Sequence, residues 1–147
     1  MKPMNEMKVS FLSCSANEAF ARAAVAAFVS QLDPTIDELA DIKTAVSEAV
    51  TNCIVHGYRD TIGTVYISVK LFDNGQIIVR VRDKGCGIQN IEQAMEPLFT
   101  TAGGERAGLG FAVMQSFMDK VAVKSTVGRG TTVALWKKIE RRPLKHD

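Results

Sequence analysis

A chain of 147 residues with 46% hydrophobic and 23% charged residues has the length and composition of one globular domain. Its formal net charge of +2 is too small to argue for a nucleic-acid partner, and no run approaches the roughly 20 apolar residues of a membrane span. The start, Met1-Lys-Pro-Met-Asn-Glu-Met-Lys8, has neither an apolar stretch nor a small-residue cleavage site, so no signal peptide is expected. Cys14, Cys53 and Cys86 are odd in number and widely spaced. With only 2 histidines beside them they form neither a disulfide framework nor a zinc site. A reducing cytoplasm is the expected setting.

In chain order, Lys8 to Ser13 alternates weakly and predicts a first strand. Ser15-Ala-Asn-Glu18 has the pattern of a capping box and opens a helix to about Gln31. That helix is Ala-rich, with Glu18 and Arg22 marking a narrow polar stripe. It is either a tightly packed helix with a solvated ion pair or one whose surplus apolar surface is reserved for a partner. Pro34 and Thr35-Ile-Asp-Glu38 start a second helix, whose apolar positions recur to His56, with Gly57 as its stop. Strands Thr64–Phe72 and Gln76–Arg82 follow, joined through Asn74-Gly75 as a hairpin. Residues 88–107 form a long loop with at most one helical turn near Ile91–Met95, a length typical of a lid or binding loop. Helix Gly108–Met118 and strands Val121–Val127 and Thr131–Trp136 complete the pattern, the strands turning through Gly128-Arg-Gly130. The last stretch, Lys137–Asp147, is basic, contains Pro143 and is expected to fray, which leaves residues 1–136 as the domain. Helices segregated from strands in this order predict an α/β two-layer sandwich, with a mixed, mostly antiparallel sheet covered on one face.

Three spacings carry chemistry. Ile77, Val79 and Val81 share one parity and Asp83 continues it, as Thr131 does with Val133 and Leu135. If the aliphatic sets face the helices, a carboxylate and a hydroxyl both point between the layers, a pairing suited to a flat heterocycle with an exocyclic amine. Gly85 and Gly87 in Asp83-Lys-Gly-Cys-Gly87 let the backbone turn close to such a ring. Alone, this is also the pattern of an ordinary surface turn.

Gly108-Leu109-Gly110 opens a helix straight after the loop, and helix-start amides can hold phosphate. Arg106 is either a cation for the terminal phosphate or a solvated loop residue. Glu48 and Asn52, four apart, share a helical face beside the apolar stripe. Asn52 can give Mg²⁺ one oxygen without adding charge, and Glu48 can take a proton from an attacking hydroxyl. His56 is expected to be a helix-end cation rather than a catalyst.

Together these elements resemble the ATP-binding fold shared by gyrase B, Hsp90, MutL and bacterial histidine kinases. Glu48 and Asn52 match its N box, Asp83-Lys-Gly85-Cys-Gly87 and Gly108-Leu109-Gly110 its glycine boxes, and Gly130-Thr131 its last nucleotide motif. Within that superfamily Ser47-Glu-Ala-Val-Thr-Asn-Cys-Ile-Val-His-Gly-Tyr58 is similar to the anti-sigma serine kinases, with the anti-sigma F factors of sporulating bacilli nearest. The resemblance implies ATP and Mg²⁺ as cofactors, phosphorylation of a serine on an anti-anti-sigma factor, and capture of a sigma factor by a homodimer. It implies Glu48 as general base, Asn52 as Mg²⁺ ligand, Asp83 as adenine anchor, and Gly108 and Gly110 along the phosphates, with Thr131 near Asp83. Arg22 is the candidate partner contact, an inference from helix composition. A non-catalytic ATP-binding module that holds a sigma factor is the alternative, and a bare ATP hydrolase a third. Neither nucleic acid nor membrane is expected as a partner.

Overall fold

The computed structural model describes residues 2–95 and 107–140. Five strands form one sheet in the order β1-β2-β3-β5-β4: β1 Asn5–Leu12, β2 Thr64–Leu71, β3 Gln76–Asp83, β4 Lys120–Thr126 and β5 Gly130–Lys138. Every neighbouring pair is antiparallel, so the expected mixed sheet is in fact uniform. The reason is local: β2–β3 and β4–β5 are hairpins, and the other two pairings also bring oppositely directed strands together.

Alternation works as predicted. Val65, Ile67, Val69 and Leu71 on β2, and Ile77, Val79 and Val81 on β3, are buried beneath the helices. The 73–75 turn closes with the Gly75 N–H donated to the Phe72 carbonyl at 3.0 Å. Helices α1 (Asn17–Val29), α2 (Ile36–Asn52) and α4 (Ala107–Phe117) cover that face, with α2 between the other two. A single-turn helix, α3, spans Ile91–Ala94. Val25, Ile42, Val46, Val50, Phe111 and Met114 bring the helical half to the core, each worth about 1.5–3 kcal/mol of apolar burial.

The capping box at Thr35 forms in full. The Thr35 hydroxyl accepts the Glu38 N–H at 3.0 Å, and the Glu38 carboxylate accepts the Thr35 N–H at 2.8 Å. The one expected at Ser15 does not. Ala16 precedes α1 in helical conformation without a side-chain cap, Asn17 donates to the Leu12 carbonyl at 2.8 Å, and Glu18 turns to Arg22. The tight β1–α1 corner supplies partners that the motif would otherwise provide. On α1 one face is fully packed through Ala21, Val25 and Val29, while Phe20 stays 49% exposed.

Two boundaries move. α2 passes at Asn52 into one wide π turn, Cys53–Gly57, instead of continuing as α-helix to His56. β5 runs beyond Trp136 to Lys138, and Ile139 is buried with its N–H on the Gly75 carbonyl at 2.8 Å, so residues 137–139 belong to the sheet layer and not to a frayed tail. Residues 141–147 and most of the 88–107 loop lie outside the described residues. Among the described residues no helix is long and apolar enough to cross a membrane.

Candidate active site

Where β3 ends and β5 begins beneath α2 and α4, the layers part around a cleft of about 860 Å³. Asn52, Asp83, Gly87 and Thr131, chosen from sequence, all line it. Asp83 and Thr131 are register partners across the β3–β5 ladder, which is why their shared parity brings them side by side. Asp83 is only 4% exposed. Burial pushes its carboxyl up from the ordinary range, opposed by the Gly85 N–H, which it accepts at 2.9 Å, then by the Cys53 thiol and the Thr131 backbone. Burial, with Asp83 beside it, pushes the Cys53 thiol well up, so it serves as a neutral S–H donor.

The steric demand on Gly85 comes from behind the cleft. A Cβ there would lie 2.0 Å from the Gly57 carbonyl oxygen, and one on Gly57 would lie 2.8 Å from the Asp83 carboxylate. These two glycines let the π turn of α2 press directly onto the Asp83 turn, an approach sealed by the Cys86 N–H on the Gly57 carbonyl at 3.0 Å. Gly57 is therefore a packing residue and not a left-handed helix stop. Tyr58 braces the same turn, accepting the Lys84 N–H at 2.6 Å and donating to the Thr64 carbonyl at 2.7 Å.

Glu48 and Asn52 stand one turn apart on α2, facing the first turn of α4. A Cβ on Gly110 would come 3.2 Å from Glu48 Oε2 and 3.3 Å from Asn52 Oδ1, so glycine lets α4 start this close without displacing either side chain. The Asn52 Nδ2 is buried and has no hydrogen-bond partner among the described residues. Glu48 does not line the cleft itself; it sits just past Asn52. Burial, then the nearby charge of Glu18, raises its carboxyl above the ordinary range, the direction a proton acceptor requires. Glu18, whose charge reaches Glu48, pairs with Arg22 at 3.4 Å, so the polar stripe of α1 runs toward the Glu48 end of the site. Gly108 and Leu109 fall in the first turn of α4, and Arg106 lies outside the described residues.

Sequence reasoning missed several contributors. Cys53 belongs to the apolar repeat of α2 and Phe111 to no motif, yet both line the cleft, as does His56 from the π turn. Ser125 is invisible in any motif. It bonds the Thr131 hydroxyl at 2.8 Å and accepts the Ile88 N–H at 2.7 Å, tying the floor of the cleft to the base of the loop that follows. Only the register of β4 on β5 makes it a neighbour.

A carboxylate buried at the end of an apolar layer, an orphaned amide and a helix start over a second carboxylate define a nucleotide-binding ATPase-type domain, and residues 13–137 match the family model described as Histidine kinase-like ATPase domain. Among known proteins the chain is 59% identical to an anti-sigma F factor of a Thermoanaerobacter species, over 95% of this chain and 97% of the relative. It is 56% identical to one from a Geobacillus species, covering 93% and 94%. The chain belongs to the anti-sigma F factor family, within the histidine kinase-like ATPase domains. A crystal structure of RsbU and RsbW domains from Mycobacterium tuberculosis shares the fold, with a TM-score of 0.69 at 19% identity, over 95% of this chain and 33% of that one.

Proposed function

We propose that this protein is an ATP-dependent protein-serine kinase that also holds a sigma factor, phosphorylating a serine of an anti-anti-sigma factor. The observation that carries the reading is a buried carboxylate, Asp83, that lines one cleft with Asn52, while Glu48 stands beside Asn52 against the first turn of α4. Asp83 accepts from the adenine amine, and Thr131 flanks it. Asn52 fits Mg²⁺ that arrives with the triphosphate, because such an ion needs few protein oxygens and the Asn52 Oδ1 stands with Glu48 Oε2 at the first turn of α4. Among the described residues no cluster of three acidic, His or Cys side chains exists to hold a metal without the nucleotide. Bound there, Mg²⁺ supplies neutralisation of phosphate charge.

In the transfer step the acceptor serine oxygen bonds to the γ-phosphorus, the bond to the β,γ-bridging oxygen breaks, and ADP departs. Glu48 takes the serine proton. The first amides of α4, from Gly108 through Leu109 to Gly110, lie along the phosphates, with Arg106 available to the terminal one. The α1 stripe, where Arg22 stands, borders the Glu48 end, so a partner bound there brings its serine to the base. The names of the relatives support a sigma factor as the second partner, and the protein acts as a homodimer in the cytoplasm.

The test is Glu48→Gln, with transfer of labelled γ-phosphate to the anti-anti-sigma protein. The variant keeps Mg²⁺-ATP affinity and loses about 10²–10⁴-fold in rate. Transfer at the parental rate removes Glu48 as base. Tight ATP binding with no transfer by the parent protein favours the pure sigma-binding module, and steady phosphate release without acceptor favours a hydrolase.

A further inference from the structure

The sheet face turned away from the helices is unlike the rest of the surface. The residues alternating with the core set point to it, and β2 and β3 place Lys70, Arg80 and Arg82 there, with Lys84 just beyond β3. The outer strands and β5 add Lys8, Lys120, Lys124 and Lys138. Glu6 is the lone acid at an outward strand position, while Asp73 and Asp119 lie in turns at the rim. Among the described residues none of these cations is in an ion pair. Register places Lys70 directly opposite Glu6 and makes it a diagonal neighbour of both Lys8 and Arg80. Ordinary solvated faces intersperse both signs, and clustered like charges repel.

Two aromatic side chains lie within this field. Arg82 and Lys84 sit 5.8 and 5.1 Å from the ring centre of Tyr66, and Lys120 sits 4.8 Å from that of Trp136. Both rings are half-buried, and Lys84 and Lys120 are exposed and able to swing aside. The face measures about 20 by 25 Å from strand spacing and rise.

We propose that this face binds single-stranded nucleic acid, with Arg80, Arg82 and Lys84 on phosphates and Tyr66 and Trp136 as platforms for bases. Cations interleaved with aromatic rings on an open sheet are the chemistry such strands use. A duplex is convex and meets a flat sheet along one strip, leaving the rings idle. A membrane gains from inserted apolar side chains, and the exposed Leu12 stands at a corner, not in the field. Because the cleft opens on the opposite side of the sheet, ATP and the strand can be bound together.

The experiment is fluorescence anisotropy of a labelled oligodeoxythymidine of about 16 nucleotides against the full chain. Three phosphate contacts give a single-strand salt slope near −2.1, so affinity falls roughly 20-fold between about 50 and 200 mM salt. Arg80→Ser with Arg82→Ser flattens that slope by about 1.4, and Trp136→Ala weakens binding at least about fivefold. Unchanged melting and ATP affinity confirm folding of each variant, with Tyr66→Ser and Lys124→Ser in reserve if Trp136→Ala unfolds. No binding at low salt overturns the proposal. So do variants that bind like the parent, and duplex or phosphatidylglycerol vesicles held as tightly with no dependence on the rings.

Discussion

Replacing Asp83 by Asn separates what the buried carboxylate does for the ligand from what it does to the fold. The substitution is isosteric, and an Asn oxygen can still accept the Gly85 N–H that Asp83 holds at 2.9 Å. It removes the charged acceptor for the adenine amine, worth about 1.5–3 kcal/mol, so Mg²⁺-ATP affinity falls about 10- to 150-fold. It also removes a carboxylate whose folded-state pKa is raised, first by burial. For an acid with that sign, the folded state favours the proton. Stability contributed by the protonated form is full below the unfolded value of about 3.9 and is lost as pH rises through the higher folded one. Asp83→Asn should therefore melt higher than the parent without nucleotide at neutral pH, with the gain shrinking as pH falls through the carboxylate range. Calorimetric titration with Mg²⁺-ATP and melting curves at two pH values measure both effects. An affinity equal to the parent's refutes the anchor, and a lower apo melting point at neutral pH refutes the electrostatic account.

Asn52→Ala should lose the Mg²⁺ dependence of nucleotide affinity while leaving the apo protein's stability nearly unchanged, because its buried Nδ2 bonds to nothing among the described residues; titrations with and without Mg²⁺ decide it. Gly110→Ala puts a methyl 3.2 Å from Glu48 Oε2, so transfer should slow while the melting point holds, and a parental rate in the acceptor assay would show the pair has room to spare. Tyr58→Phe strands the Lys84 N–H and the Thr64 carbonyl, costing about 1–3 kcal/mol in urea unfolding. Since both bonds brace the Asp83 turn, ATP affinity should drop with it.

Much of the site was legible because the relevant periodicities are short. The four-residue step from Glu48 to Asn52 fixes one helical face, and the two-residue step from Val81 to Asp83 fixes one sheet face, whatever the rest of the chain does. Other expectations failed where tertiary contacts replaced local ones. Ser15 lost its capping role to the β1–α1 corner, and Gly57 was read as a stop although its missing side chain makes room for Asp83. Net charge is an average over the chain and does not reveal that strand alternation sorts cations onto one face.

What the sequence determined alone was therefore the elements, the parity of Asp83 and Thr131, and the shared face of Glu48 and Asn52, because backbone geometry enforces these over a few residues. Only the folded chain decided that Gly110 seats α4 on that pair, that Cys53 and Ser125 serve the cleft, and that β5 runs to Lys138. Each of those depends on which strand or helix lies alongside which, and such neighbours are chosen by packing across the whole core, not by any local run of residues.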